Sequence, residues 1–181
     1  MALLSDGPHP EHAEAAMLFG QFVGSWDVDV AWYEAGRVVR RARGEWHFAW
    51  VLEGRAVQDV WIVPPRSERS AGDADLYEYG TTLRFYDPGI DAWRSTWHGP
   101  MHGVVIPFIA RKVGDEIVLQ GRHAVDGRPM RWVFSDIGAD RFLWRSEASA
   151  DEGGTWDLLQ DFVVRRRASN AIDCSTVEAI E

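Results

Sequence analysis

Cysteine is nearly absent: Cys174 is the single one in 181 residues, which excludes a disulfide framework, a thiolate metal centre and a cysteine nucleophile with a positioned base. No apolar run approaches the roughly 20 residues that a membrane helix needs. Positive charge is scarce, with 19 Lys and Arg against 28 Asp and Glu and a net charge of -9. Such a surface repels a phosphate backbone or an anionic bilayer, so neither nucleic acid nor membrane is an expected partner. The stretch from Met1 to Pro10 has neither a basic region nor an apolar one, which makes cytoplasmic the expected compartment. Also missing are a Gly-x-Ser-x-Gly elbow, a phosphate-binding glycine loop with its lysine, and a dinucleotide fingerprint. Common hydrolases, kinases and nucleotide-dependent oxidoreductases are unsupported, and no cofactor or metal is expected.

Tryptophan is what the chain has in excess, ten of them, against the roughly 1 to 2% usual in soluble proteins. Either large side chains fill a small core or they line a cavity suited to stacking. The length fits one domain with one core. From about residue 25 to 166 the sequence is a series of short alternating runs broken by Gly, Asp and Pro, the pattern of an all-β meander. Ten strands are predicted. Trp26, Val28, Val30 and Trp32 share one face of the first, and Trp46, Phe48 and Trp50 one face of the second, which is read from Arg43. In the third, Gln58, Val60 and Ile62 compete with Val57, Asp59 and Trp61 for the interior, and the register stays open. Consecutive hairpins hide both edges by closing into an up-and-down barrel. Glu11 to Val23 carries Ala15, Leu18, Phe19 and Phe22 at helical spacing, so a short helix is expected to close one end. Residues 1–10 are read as a flexible start, 11–167 as the barrel, and 168–181 as a poorly ordered tail.

The segment Phe22-Val23-Gly24-Ser25-Trp26 resembles the Gly-x-Trp signature that opens the barrel of lipocalins and fatty-acid-binding proteins. In those families an arginine of the last strand covers that tryptophan, a role open here to Arg165, Arg166 or Arg167. Three further stretches, Leu52 to Trp61, Tyr79 to Pro88 and Ser149 to Trp156, resemble an uncharacterised bacterial family of the same calycin group, over roughly residues 18 to 167. That resemblance implies a barrel and no settled activity. The related nitrobindins hold haem through a histidine near the C-terminal end. No histidine follows His123, so haem is not implied.

The predicted inner face comprises Trp26, Trp32, Trp46, Phe48, Trp50, Leu83, Phe85, Trp93, Trp97, Ile117, Leu119, Trp132, Phe134, Trp144, Trp156 and Phe162. Ser95, His123, Ser146 and Gln160 are its polar members, with Gln58 or Asp59 according to register. An apolar pocket with few polar groups is the usual composition of a small-molecule site; the alternative is a filled barrel. Candidate ligand-binding residues are Trp46, Trp50, Asp59, Trp61, Arg84, Trp97, His98, His123, Trp132, Trp144 and Gln160. Arg84 falls outside by strict alternation, yet an arginine inside such a barrel would pair with a carboxylate of a ligand or of Asp59. His98 and His102 flank Pro100, which rules out a helical metal pair and suggests a loop at the barrel mouth. The expected function is binding of a small hydrophobic molecule, aromatic or polyketide-like, by a carrier or sensor. Alternatives are a cofactor-independent cyclase or isomerase using the same cavity, for which His98, His123 and Asp59 are the catalytic candidates, and a solid barrel acting through its surface. The sequence leaves the oligomeric state, monomer or homodimer, open.

Overall fold

The computed structural model describes residues 3–69 and 77–168. A 3-10 turn at Pro10–His12 leads into helix α1 (Ala13–Gly20). Ten strands follow: β1 (Gly24–Glu34), β2 (Arg37–Val51), β3 (Ala56–Val63), β4 (Glu78–Asp87), β5 (Ala92–Gly99), β6 (Val104–Val113), β7 (Glu116–Arg122), β8 (Pro129–Ser135), β9 (Arg141–Ala148) and β10 (Asp157–Arg166). Each runs antiparallel to the next and β1 also pairs with β10, so the sheet closes on itself and leaves no edge. The expected tail from residue 169, Cys174 with it, lies outside the described residues. Within the expected flexible start, Ser5 donates its backbone N–H to Trp50 and His9 to Gly54, both at 3.0 Å.

Register decides what faces the bore, because neighbours in a ladder share a face. Trp46 lies opposite Trp61 and Phe48 opposite Asp59, which places Val57, Asp59 and Trp61 inside and turns Gln58 outward, where its amide donates to Thr81 Oγ1 at 3.0 Å. The same register carries into β4, where Thr82 faces Asp59 and Arg84 faces Val57. This corrects the predicted inner face: Leu83 and Phe85 point outward, and Phe85 is 42% exposed. Apolar character alone misplaced them, since alternation about Phe85 looks the same from either side and the carboxylate partner of Arg84 lies inside. Trp156 is also outside. β10 begins after it, with a register shift between Leu158 and Gln160, and its ring lies 4.1 Å from the Arg131 guanidinium.

One end of the barrel is sealed. Phe19 of α1 and Phe22 just after it are buried and meet Phe134 at 5.9 and 5.1 Å and Phe142 of β9, which lies 4.7 Å from Phe22. Gly20 permits this docking, since a Cβ there would stand 2.3 Å from the Trp50 ring. Trp26 donates its indole N–H to the Phe22 carbonyl at 2.7 Å. Over its face at 4.0 Å lies Arg166, whose guanidinium also donates to the carbonyls of Val23, Gln21 and Ala139 at 3.0, 3.1 and 2.8 Å. Of the three arginines open to this role, Arg166 fills it. A single side chain thus joins the first strand, the last strand and the helix end.

Candidate functional site

Aromatic rings meet across the bore at its middle. Trp46 of β2 stacks on Phe134 of β8 at 5.7 Å and meets Trp144 edge-on at 6.2 Å. From this level to α1 the interior is packed with rings, so the open centre expected along the whole barrel is not found in this half. Trp50 belongs to the packed end, beneath Gly20.

Embedded in the packed half is an ion pair. Arg84 Nη1 stands 2.5 Å from Asp59 Oδ2, and neither side chain has any exposed surface. Phe19 and Phe48 lie 5.0 and 5.7 Å from the guanidinium. Asp59 Oδ1 accepts from the Thr82 backbone N–H at 3.0 Å, whereas Arg84 Nε and Nη2 and the Ser95 hydroxyl opposite it on β5 have no hydrogen-bond partner among the described residues. An arginine in such a setting is held by a single carboxylate and by ring contacts, an unusually exacting arrangement.

Beyond Trp46, towards the other end, a second aromatic group lines the wall. Trp61 stacks on Phe162 at 5.2 Å and Phe162 on Trp144 at 4.2 Å. The circuit continues edge-on from Trp144 to Trp132 at 5.3 Å, Trp132 to Trp97 at 5.8 Å and Trp97 to Trp61 at 6.2 Å. Gly80 makes room for it, since a Cβ there would fall 2.1 Å from the Trp97 ring. Trp61, Trp144 and Phe162 are buried, while Trp32, Trp97, Trp132 and Gln160 keep part of their surface open. The indole N–H groups of Trp61, Trp132 and Trp144 and the Gln160 amide nitrogen are buried atoms with no partner. A buried donor left so costs ~1–3 kcal/mol.

At the rim stands a polar cluster that the sequence reading did not single out. Arg40 lies 4.2 Å above the Trp32 ring and 3.6 Å from Glu78. Burial pushes the Glu78 carboxyl up, against the lowering influence of Arg40, of His102 and of a hydrogen bond from the Trp32 indole. Pairing of Trp32 with Arg40 and of Trp61 with Gly80 gives both side chains the inward phase. The signal was hidden by the Arg40-Arg41 dipeptide, which reads as solvated surface.

Two candidates fall elsewhere. His98 alternates with Trp97 and is exposed on the outer wall, and His102 is exposed in the β5–β6 turn. His123 follows β7, where its Nδ1 lies 3.0 Å from Asp126 Oδ1 and its backbone N–H donates to the Arg128 carbonyl at 2.9 Å, knitting the β7–β8 turn. The structure therefore brings together Trp61, Trp97, Trp132, Trp144 and Gln160, with Trp46 as their floor, and sets Asp59 and Arg84 beneath them.

The outer wall carries its own charged cluster. His47 places Nδ1 2.9 Å from Ser25 Oγ and Nε2 3.1 Å from Glu45. Glu45 accepts from Arg66 Nε at 2.7 Å and Arg167 Nη1 at 3.0 Å. Burial would raise the Glu45 carboxyl, but Arg66, His47 and Arg167 together hold it far below the usual carboxylate range. Both arginines neutralise the carboxylate, so the group clamps the segment after β3 and the end of β10 onto β2. Also outside the bore, a groove of about 870 Å³ runs between α1 and the ends of β4 to β6, lined by Met17, Leu18, Tyr86 and Ile90 among others.

No family model and no curated protein matches the chain. Solved structures share its fold. Rv2717c from Mycobacterium tuberculosis aligns with 15% identity and a TM-score of 0.57, covering 89% of this chain and 99% of its own. The S-type phycobiliprotein lyase CPES from Guillardia theta aligns with 14% identity and a TM-score of 0.53, covering 90% and 99%. At these identities the likeness is one of fold, a closed lipocalin-like barrel. Among the described residues no helix is long and apolar enough to cross a membrane.

Proposed function

We propose that the open half of the barrel binds a small, largely apolar molecule, and that the chain serves as its carrier or sensor. The observation that carries this is the asymmetry of the bore: α1 and the rings around Phe22 seal one end, while Trp32, Trp97 and Trp132 leave aromatic surface accessible at the other. Aromatic side chains contribute large contact area at little entropic cost, and the groups beside them are few, as in small-molecule pockets. One protein of the same fold is a phycobiliprotein lyase, which is compatible with a fold that handles ligands. Intrinsic tryptophan fluorescence titrated with aromatic compounds tests the reading. Saturable quenching that Trp132→Ala weakens at least about tenfold supports it, and no quenching by any compound refutes it.

A second reading is favoured by Glu78. A carboxyl whose proton affinity is raised by burial, beside an arginine at the rim of an apolar chamber, is suited to exchanging a proton with a bound molecule. In a cyclase or isomerase of this design Glu78→Gln would slow turnover by about 100-fold or more. In a carrier it would leave binding within a few-fold.

A further inference from the structure

The donors left unpartnered among the part-exposed rings opposite α1 bear on the chemistry of a molecule that would bind there. Trp61 and Trp144 are more than nine-tenths buried, and their N–H groups lack acceptors. Trp132 and Gln160 add two more unpartnered donor nitrogens to the same wall. An indole can only donate. The carboxylates nearest this chamber are already engaged, Glu78 with Arg40 and the Trp32 indole, and Asp59 with Arg84.

A box of tryptophans ordinarily suits a cation, whose charge sits over ring faces. Here the arrangement differs. Trp61, Trp97, Trp132 and Trp144 meet their neighbours edge-on, at interplanar angles of 61°, 75° and 64°. The Trp32 face is already occupied by Arg40 at 4.2 Å, a fixed positive charge at the rim that repels an ammonium group. Trp61 and Trp144 turn their other faces to Phe162.

We infer that the molecule bound in the open half presents acceptor oxygens, as a ketone or carboxylate on an apolar ring frame, to the indole N–H groups of Trp61, Trp132 and Trp144 and to the Gln160 amide. This rests on the binding reading above and sharpens it. The indole donors supply orientation and the ring frame supplies contact area. The overall charge of -9 works against an anion at long range, so the preference is set locally by the donors and by Arg40.

Three probes of one shape separate the contributions: tetralin, 1-tetralone and 1-aminotetralin, titrated into the full-length chain. The expected order is 1-tetralone tighter than tetralin by about tenfold, with 1-aminotetralin weakest. In ¹H–¹⁵N spectra the indole N–H resonances of Trp61, Trp132 or Trp144 move downfield with 1-tetralone and not with tetralin. Trp144→Phe, which keeps a ring and removes the donor, lowers the ratio of tetralone to tetralin affinity. Equal binding of tetralone and tetralin, or preference for the amine, overturns the inference and leaves the binding reading intact. Failure of all three to bind overturns both.

Discussion

Removing one member of the Arg84–Asp59 pair should cost far more than removing both. Asp59 and Arg84 have no exposed surface, and Arg84 Nε and Nη2 have no hydrogen-bond partner to fall back on among the described residues. Arg84→Met leaves a carboxylate in a ring-lined interior with only the Thr82 N–H to stabilise it. Asp59→Leu leaves a guanidinium there with nothing but aromatic faces. Each single variant is expected to lose ~3–5 kcal/mol, the usual result of orphaning a buried charge. Out of a total of roughly 5–15 kcal/mol, that leaves a folded but fragile protein. With a urea slope of roughly 2 kcal/mol per molar, the midpoint moves down by about 1.5–2.5 M. The double variant Arg84→Met/Asp59→Leu substitutes apolar groups of comparable bulk and no longer confines charge. It is expected within about 1–2 kcal/mol of the parent or above it. Urea melts of the four proteins, followed by tryptophan emission, complete the cycle. Additive losses in the double variant, or single losses below about 1 kcal/mol, would refute the reasoning.

Three further outcomes are expected. Glu45→Gln should destabilise the chain by about 1–3 kcal/mol near neutral pH. Its carboxyl titrates below the ordinary value of 4.5, so that stability is present above this value and lost as pH falls, and the gap between parent and variant should close in acid melts. Glu78→Gln should show the opposite sign. The native carboxyl titrates above 4.5, so folding favours its protonated form relative to the unfolded chain, and the variant should gain melting temperature over the parent as pH rises above about 4.5. Gly80→Ala sets a Cβ 2.1 Å from the Trp97 ring and 2.8 Å from the His98 carbonyl. A loss of about 1–3 kcal/mol is expected, with Trp97→Leu recovering part of it in the same melts.

The barrel itself was legible because hairpin punctuation such as Asp87-Pro88-Gly89 and Asp126-Gly127 sits where strands end, and because Trp26, Trp46, Trp132 and Trp144 alternate with polar residues. Period alone could not phase β3 and β4. Both faces of Gln58-Asp59-Val60-Trp61 are half apolar, and only pairing with Trp46 and Phe48 decides. From there Arg84 was drawn inside and Phe85 outside, against their hydropathy. Much of the site's wall was readable as an aromatic face, whereas its rim was not. Arg40 hid in a charged stretch that the longer β2 turns inward, and Glu78 stands at the very start of β4. Unpartnered indole groups have no signature in sequence, since they depend on what all ten strands fail to offer one another. His98 drew notice by its residue type and its neighbour Pro100, but the phase of β5 sends it to the outer wall.

Where a small molecule sits is measured directly by a crystal structure of the chain soaked with 1-tetralone. Density is expected within the open half, bounded by Trp61, Trp97, Trp132 and Trp144, with its oxygen at hydrogen-bond distance from an indole nitrogen or Gln160. Density confined to the outer groove beside α1, with those four rings unmoved, would contradict it.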